Sequence, residues 1–83
     1  MDIKKMETRE DFESLKKGDK LLVEWSDYWL SHTSNAKKLM LYNIHQNKAS
    51  DKEIICQIKG NHYFNYEKYL KGDSVALDVY KII

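Results

Sequence analysis

Asp11-Phe12-Glu13-Ser14-Leu15-Lys16-Lys17-Gly18-Asp19-Lys20-Leu21-Leu22-Val23-Glu24 returns 54 positions later as Asn65-Tyr66-Glu67-Lys68-Tyr69-Leu70-Lys71-Gly72-Asp73-Ser74-Val75-Ala76-Leu77-Asp78. Asp11 and Asn65 are good helix N-caps, since a short side-chain oxygen can accept from a free N–H of the first turn. Glu13 and Glu67 then place a negative charge near the positive end of the helix. Phe12/Leu15 and Tyr66/Tyr69, spaced i, i+3, give each short helix one apolar side. Gly18 and Gly72 suit the left-handed position that ends a helix. Beyond them Leu21/Val23/Trp25 and Val75/Leu77/Val79 alternate with polar or small residues, the period of a half-buried strand. The glycine follows the helix, so the repeated Lys-Gly-Asp does not read as a phosphate cradle, which presents its N–H groups ahead of a helix. Each copy reads as an entry into a strand.

Around this frame the chain divides into short elements. Residues 1–7 read as a loose arm or a strand added to a sheet edge. Thr8-Arg9-Glu10-Asp11 is an alternative start for the first helix, extending it to about residues 8–17. Tyr28, Trp29 and Leu30 could prolong the first strand, and Ser31 to Asn35 has loop composition. Residues 36–46 hold a strand, with a helix as the rival reading. Leu39 and Leu41 fall on one of its faces, and Met40, Tyr42 and Ile44 on the other. Apolar residues on both faces imply a strongly twisted strand or a second buried side. Asn47 to Asp51 reads as a hairpin loop, Ile54/Cys56/Ile58 as a third strand, Gly60-Asn61 as a turn, and His62 to Phe64 as a short extended piece. Ser74 to Ile82 is the closing strand. The fold class is thus β-rich α+β. The expected architecture is a small, partly closed antiparallel barrel of 4–5 strands, with a short N-terminal helix and a helical turn before the last strand. Barrel closure is expected because exposed strand edges invite aggregation. The layout resembles that of the small SH3-like barrels, without the acidic loop and paired aromatics of a proline-peptide groove.

Eighty-three residues are read as one domain over 1–83. A chain of this size buries only about 60–65% of its unfolded surface. Its ten aromatics therefore exceed what a minimal core demands. Cys56 is alone, so no disulfide forms within the chain, and it reads as a small buried hydrophobe. No apolar run is long enough to span a membrane, and no basic-then-apolar leader is present. A cytoplasmic setting is the expectation.

Charge is nearly balanced overall but unevenly spread. Residues 1–27 carry six bases against eight acids, 28–50 carry three lysines and no acid, and 51–83 carry five of each. Only the middle segment favours anions. Thirteen of the fourteen bases are lysine, which weighs against base-reading by arginine forks.

No catalytic or metal constellation assembles from these residues. His32, His45 and His62 lack metal-ligand spacing. Glu24, Asp27, Asp73 and Asp78 read as solvated acids near strand ends. The expectation is a non-enzyme without metal or cofactor. One group merits a site: Tyr28, Trp29, His32, Lys37, Lys38 and Tyr42. Such rings can anchor a protein partner. With flanking lysines they could instead stack on the bases of a single-stranded nucleic acid. The leading expectation is a small interaction module that binds another protein as an adaptor, accessory subunit or inhibitor. Its size suits a phage or mobile-element protein, acting as a monomer or small homo-oligomer. Binding of single-stranded nucleic acid or RNA through residues 28–50 is the alternative.

Overall fold

The two copies of the repeated phrase fold alike and meet each other. In the computed structural model, which describes residues 2–32, 37–57 and 61–83 (backbone only at 57 and 61), the chain runs β1 (Ile3–Lys5), α1 (Arg9–Glu13), β2 (Lys20–Trp25), α2 (Asp27–His32), β3 (Leu39–Lys48), a 3-10 turn (Ala49–Asp51), β4 (Glu53–Gln57), β5 (Asn61–Asn65), α3 (Tyr66–Leu70) and β6 (Ala76–Ile82). The strands form one antiparallel sheet in the order β1-β6-β2-β3-β4-β5.

Each copy is an α-turn, a glycine and a strand. Thr8, rather than Asp11, caps α1. Its hydroxyl accepts the Asp11 N–H, and the Asp11 carboxylate accepts from Thr8 N at 3.0 Å and Glu7 N at 2.9 Å, closing a capping box. Asn65 caps α3 as expected, accepting from Lys68 N at 3.1 Å. Gly18 and Gly72 take φ values of 96° and 81°, in the left-handed region. Gly72 directly follows the α3 C-cap Lys71. By contrast, α1 already ends at Ser14, and Gly18 lies in a separate turn closed by Asp19 N–H to Lys16 O at 3.0 Å, so it does not end the helix as expected.

Matched positions of the two copies touch. Phe12 and Tyr66 stack with ring planes 2° apart and centroids at 5.1 Å, and Glu24 lies directly opposite Asp78 in the β2–β6 pairing.

Four expectations are corrected. The sheet has six strands rather than 4–5, because residues 3–5 take the second of their two readings, a strand added to the sheet edge beside β6, and not that of a loose arm. Among the described residues the barrel is not closed, and β1 and β5 are the edges of the sheet. Trp25, Trp29 and Val75 line one cleft together with Tyr63 and Phe64 of β5. The β1 edge is short and carries two lysines, a common way to discourage edge pairing. Finally, residues 27–32 form a helix and do not prolong β2. The Asn47 segment also differs, since β3 runs on to Lys48 before the 3-10 turn.

The core lies on the face of the sheet covered by α1 and α3. Leu21, Val23 and Trp25 of β2 meet Tyr42 and Ile44 of β3, Ile54 and Cys56 of β4, and Val79 of β6 there. Phe12, Tyr66 and Met6 are almost fully buried against them, each burial of this size stabilising by roughly 1.5–3 kcal/mol. Residues expected at the third strand's Ile58 and the Gly60 turn lie outside the described residues. Bulges at His45 in β3 and Leu77 in β6, each an extra residue in the ladder, add local bend. No helix among the described residues is long and apolar enough to cross a membrane.

Candidate interaction surfaces

The six residues singled out in the sequence do not form one surface. Tyr28 is 64% exposed on α2 and stacks on His32 one turn later, with centroids 4.2 Å apart. Trp29, on the other side of the same helix, is half-buried and stacks on Trp25 at 4.2 Å. Tyr42 is a core residue, 6% exposed, with its hydroxyl 3.5 Å from Met40 Sδ. Burial raises the Tyr42 pKa, and the nearby Trp25 side chain lowers it in part. The Trp25 indole nitrogen nevertheless lacks hydrogen-bond geometry to any partner among the described residues. Lys37 and Lys38 are exposed, and the carbonyl of Lys38 accepts the Trp25 N–H at 2.7 Å.

Beneath the tryptophan pair lies a cleft of about 150 Å³, lined by Trp25, Trp29, Tyr42, Cys56, His62 and Phe64 among others. That is below the roughly 300–1,000 Å³ of ordinary ligand pockets. Cys56 contributes a thiol whose pKa burial pushes up to about 11, which leaves it protonated and unreactive near neutrality. Among the described residues, no three His, Cys, Asp or Glu side chains gather as a metal site.

The opposite, outer face of the sheet carries three of the seven exposed large apolar side chains among the described residues, Ile3, Leu39 and Leu41. Strand alternation turns Leu22 outward on β2, Leu39 and Leu41 on β3, Tyr80 and Ile82 on β6, and Ile3 on β1. Register joins them: Tyr80 lies opposite Leu22, Leu22 opposite Leu41, and Ile82 opposite Ile3. Leu39 is 54% exposed, Leu41 49% and Ile3 49%, with Leu22, Tyr80 and Ile82 half-buried. An antiparallel sheet with one solvated face ordinarily alternates apolar-in and polar-out. Here the alternation fails over four strands.

Charges ring this stripe. Asp78 is paired with Lys5 at 3.2 Å, and the hydrogen bond to Asp78 and its charge raise the Lys5 pKa. Glu24 and Lys20 sit on either side of Leu22 along β2, and neither makes an ion pair among the described residues. Sequence reasoning missed this face as a site, although the apolar residues on both sides of β3 were its visible sign.

No family matches the chain, and neither curated proteins nor solved structures give a match.

Proposed function

We propose that this chain is a non-enzymatic protein-interaction module that docks through the outer face of its sheet. The observation that supports it is the row Tyr80–Leu22–Leu41, continued by Ile82–Ile3 and by Leu39, across four strands, with Leu39, Leu41 and Ile3 exposed and the other three half-buried. Contiguous exposed apolar surface ringed by polar groups is the usual mark of a protein contact. Leu39 and Leu41 belong to the acid-free stretch 28–50, so the segment favoured by sequence contributes to this face. An SH3-like layout is the finer reading of the fold. Its supports are the short helix α3 directly before the last strand and the position of that strand, β6, between β1 and β2.

Binding of single-stranded nucleic acid is a second reading, supported by the exposed Tyr28–His32 stack and by Lys37 and Lys38. It would give affinity that falls steeply with salt.

A photo-reactive amino acid placed at Leu41 or at Tyr28 in expressing cells separates these surfaces. The proposal expects protein adducts from position 41. Adducts to protein or nucleic acid from position 28 alone would overturn it.

A further inference from the structure

We propose that the partner taken by the outer face is a second copy of this chain, packed sheet to sheet; this rests on the reading of that face as a docking surface. A sheet that is apolar on both sides must cover both. On the inner side α1 and α3 do so, whereas among the described residues nothing covers Leu22, Leu39 and Leu41.

The charge pattern selects the occupant. Along β2 the outward residues run Lys20, Leu22, Glu24. Two sheets stacked face to face and related by a two-fold must have that axis in the plane between them. With the axis lying across the strands at the level of Leu22, β2 of the second copy runs antiparallel to β2 of the first. Lys20 of each copy then faces Glu24 of the other, and the apolar row Tyr80–Leu22–Leu41 lies on its own image. Such an isologous contact satisfies both ends of the stripe at once.

On β1 the same row ends at Lys5, opposite Tyr80, so this axis brings Lys5 of each copy level with its image at the rim of the face, each held by its own Asp78. Asp78, next to Glu24, is already neutralised by Lys5 within the chain. Glu24 is left as the acid without a partner on this face, and Lys20 as the base. Aligned sheets pack about 10 Å apart with strands within roughly 30° of each other, so the central pairs stay in reach despite sheet twist. A face four strands wide lies at the small end of specific interfaces, below about 1,200 Å² in total, and a micromolar dimer is the expectation.

Sedimentation velocity on the purified chain, from about 1 µM to about 1 mM, tests this. The expected result is a concentration-dependent shift from 9.9 kDa to twice that mass. Lys20→Glu and Glu24→Lys should each raise the dissociation constant about tenfold, and the double swap should return it to within about threefold of the starting value. Leu41→Asp should raise it about 30-fold or more. If that variant does not fold by circular dichroism, the two charge swaps carry the test. A chain that stays monomeric to about 1 mM overturns the second copy as partner. In that event, adducts from position 41 to a different protein would leave the proposed docking face standing. A double swap no better than either single change overturns the antiparallel facing of Lys20 and Glu24.

Discussion

Asp11–Glu24 and Asn65–Asp78 spell nearly the same phrase, yet each is fixed in place by residues the other lacks. The first helix begins one turn before its copy does, because Thr8 supplies the cap and Asp11 becomes the reciprocal carboxylate of the box. Its C-terminal carbonyls are held from outside the phrase: Asn47 Nδ2 on β3 donates to Phe12 O and Leu15 O, both at 2.8 Å. The second helix is closed from within, by Gly72 N to Tyr69 O and Asp73 N to Lys68 O. Its Tyr69 hydroxyl then reaches across to accept the Val79 N–H at 3.2 Å. The difference extends to the outer face. Asp78 is neutralised by Lys5, while its match Glu24 has no partner within the described chain. A repeated phrase therefore sets two equivalent strand entries, and the unrepeated residues decide what each entry is attached to.

The largest test of this comparison is at the stacked pair. Phe12→Ala and Tyr66→Ala should each cost about 3–5 kcal/mol in urea unfolding, since both rings are fully buried. Because they stack on each other, the double variant should cost less than the sum. Full additivity would show that the contact does not couple the copies. Next in size, Asn47→Ala should cost about 1–3 kcal/mol, because it removes the side-chain donor from the part-buried Phe12 and Leu15 carbonyls, of which Phe12 O keeps the Leu15 N–H at 3.2 Å. A cost below about 0.5 kcal/mol would mean water serves that helix end equally well.

Gly18→Ala and Gly72→Ala should then cost about 1–2 kcal/mol each, and nearly the same. Both have positive φ, and an added Cβ meets nothing within 4 Å at either site, so only the backbone term acts. A gap between them larger than about 1 kcal/mol would separate the two strand-entry turns energetically.

The smallest effect is electrostatic. Hydrogen bonds from the Glu7 N–H, the Lys4 ammonium and the Thr8 N–H hold the Asp11 carboxyl far below its usual range. A folded pKa below the unfolded one gives stability that is complete above about pH 4 and is lost as pH falls further. Asp11→Asn should therefore be less stable at neutral pH and show a shallower acid limb. An acid limb of unchanged steepness would place the titration elsewhere.

What was legible in the sequence was local. The Asn65 cap, both glycines and the strands that follow them depend on residues within one turn of each other. Helix 27–32 was not legible, because Tyr28-Trp29-Leu30 satisfies a strand pattern as well and its cap, Ser26, accepts the Trp29 N–H only at 3.4 Å. The role of Asn47 was hidden by distance, since its partners lie 32 to 35 positions away. Tyr42 shows the limit for sites. With apolar residues on both faces of β3, the sequence offers no way to tell which face turns inward. The structure puts Tyr42 in the core and turns Leu39 and Leu41 out. The second buried side that this pattern implied is the face proposed here to meet another copy.

That claim is tested most directly by isotope-filtered NOE measurement on a mixture of methyl-labelled and unlabelled chain at about 1 mM. The account predicts intermolecular contacts among Leu22, Leu41 and Tyr80, with Leu39 and Ile82 methyl shifts that move on dilution and a silent Leu15 in the core. Dilution shifts confined to Trp29 and Tyr28, with Leu22 and Leu41 unchanged, would contradict it.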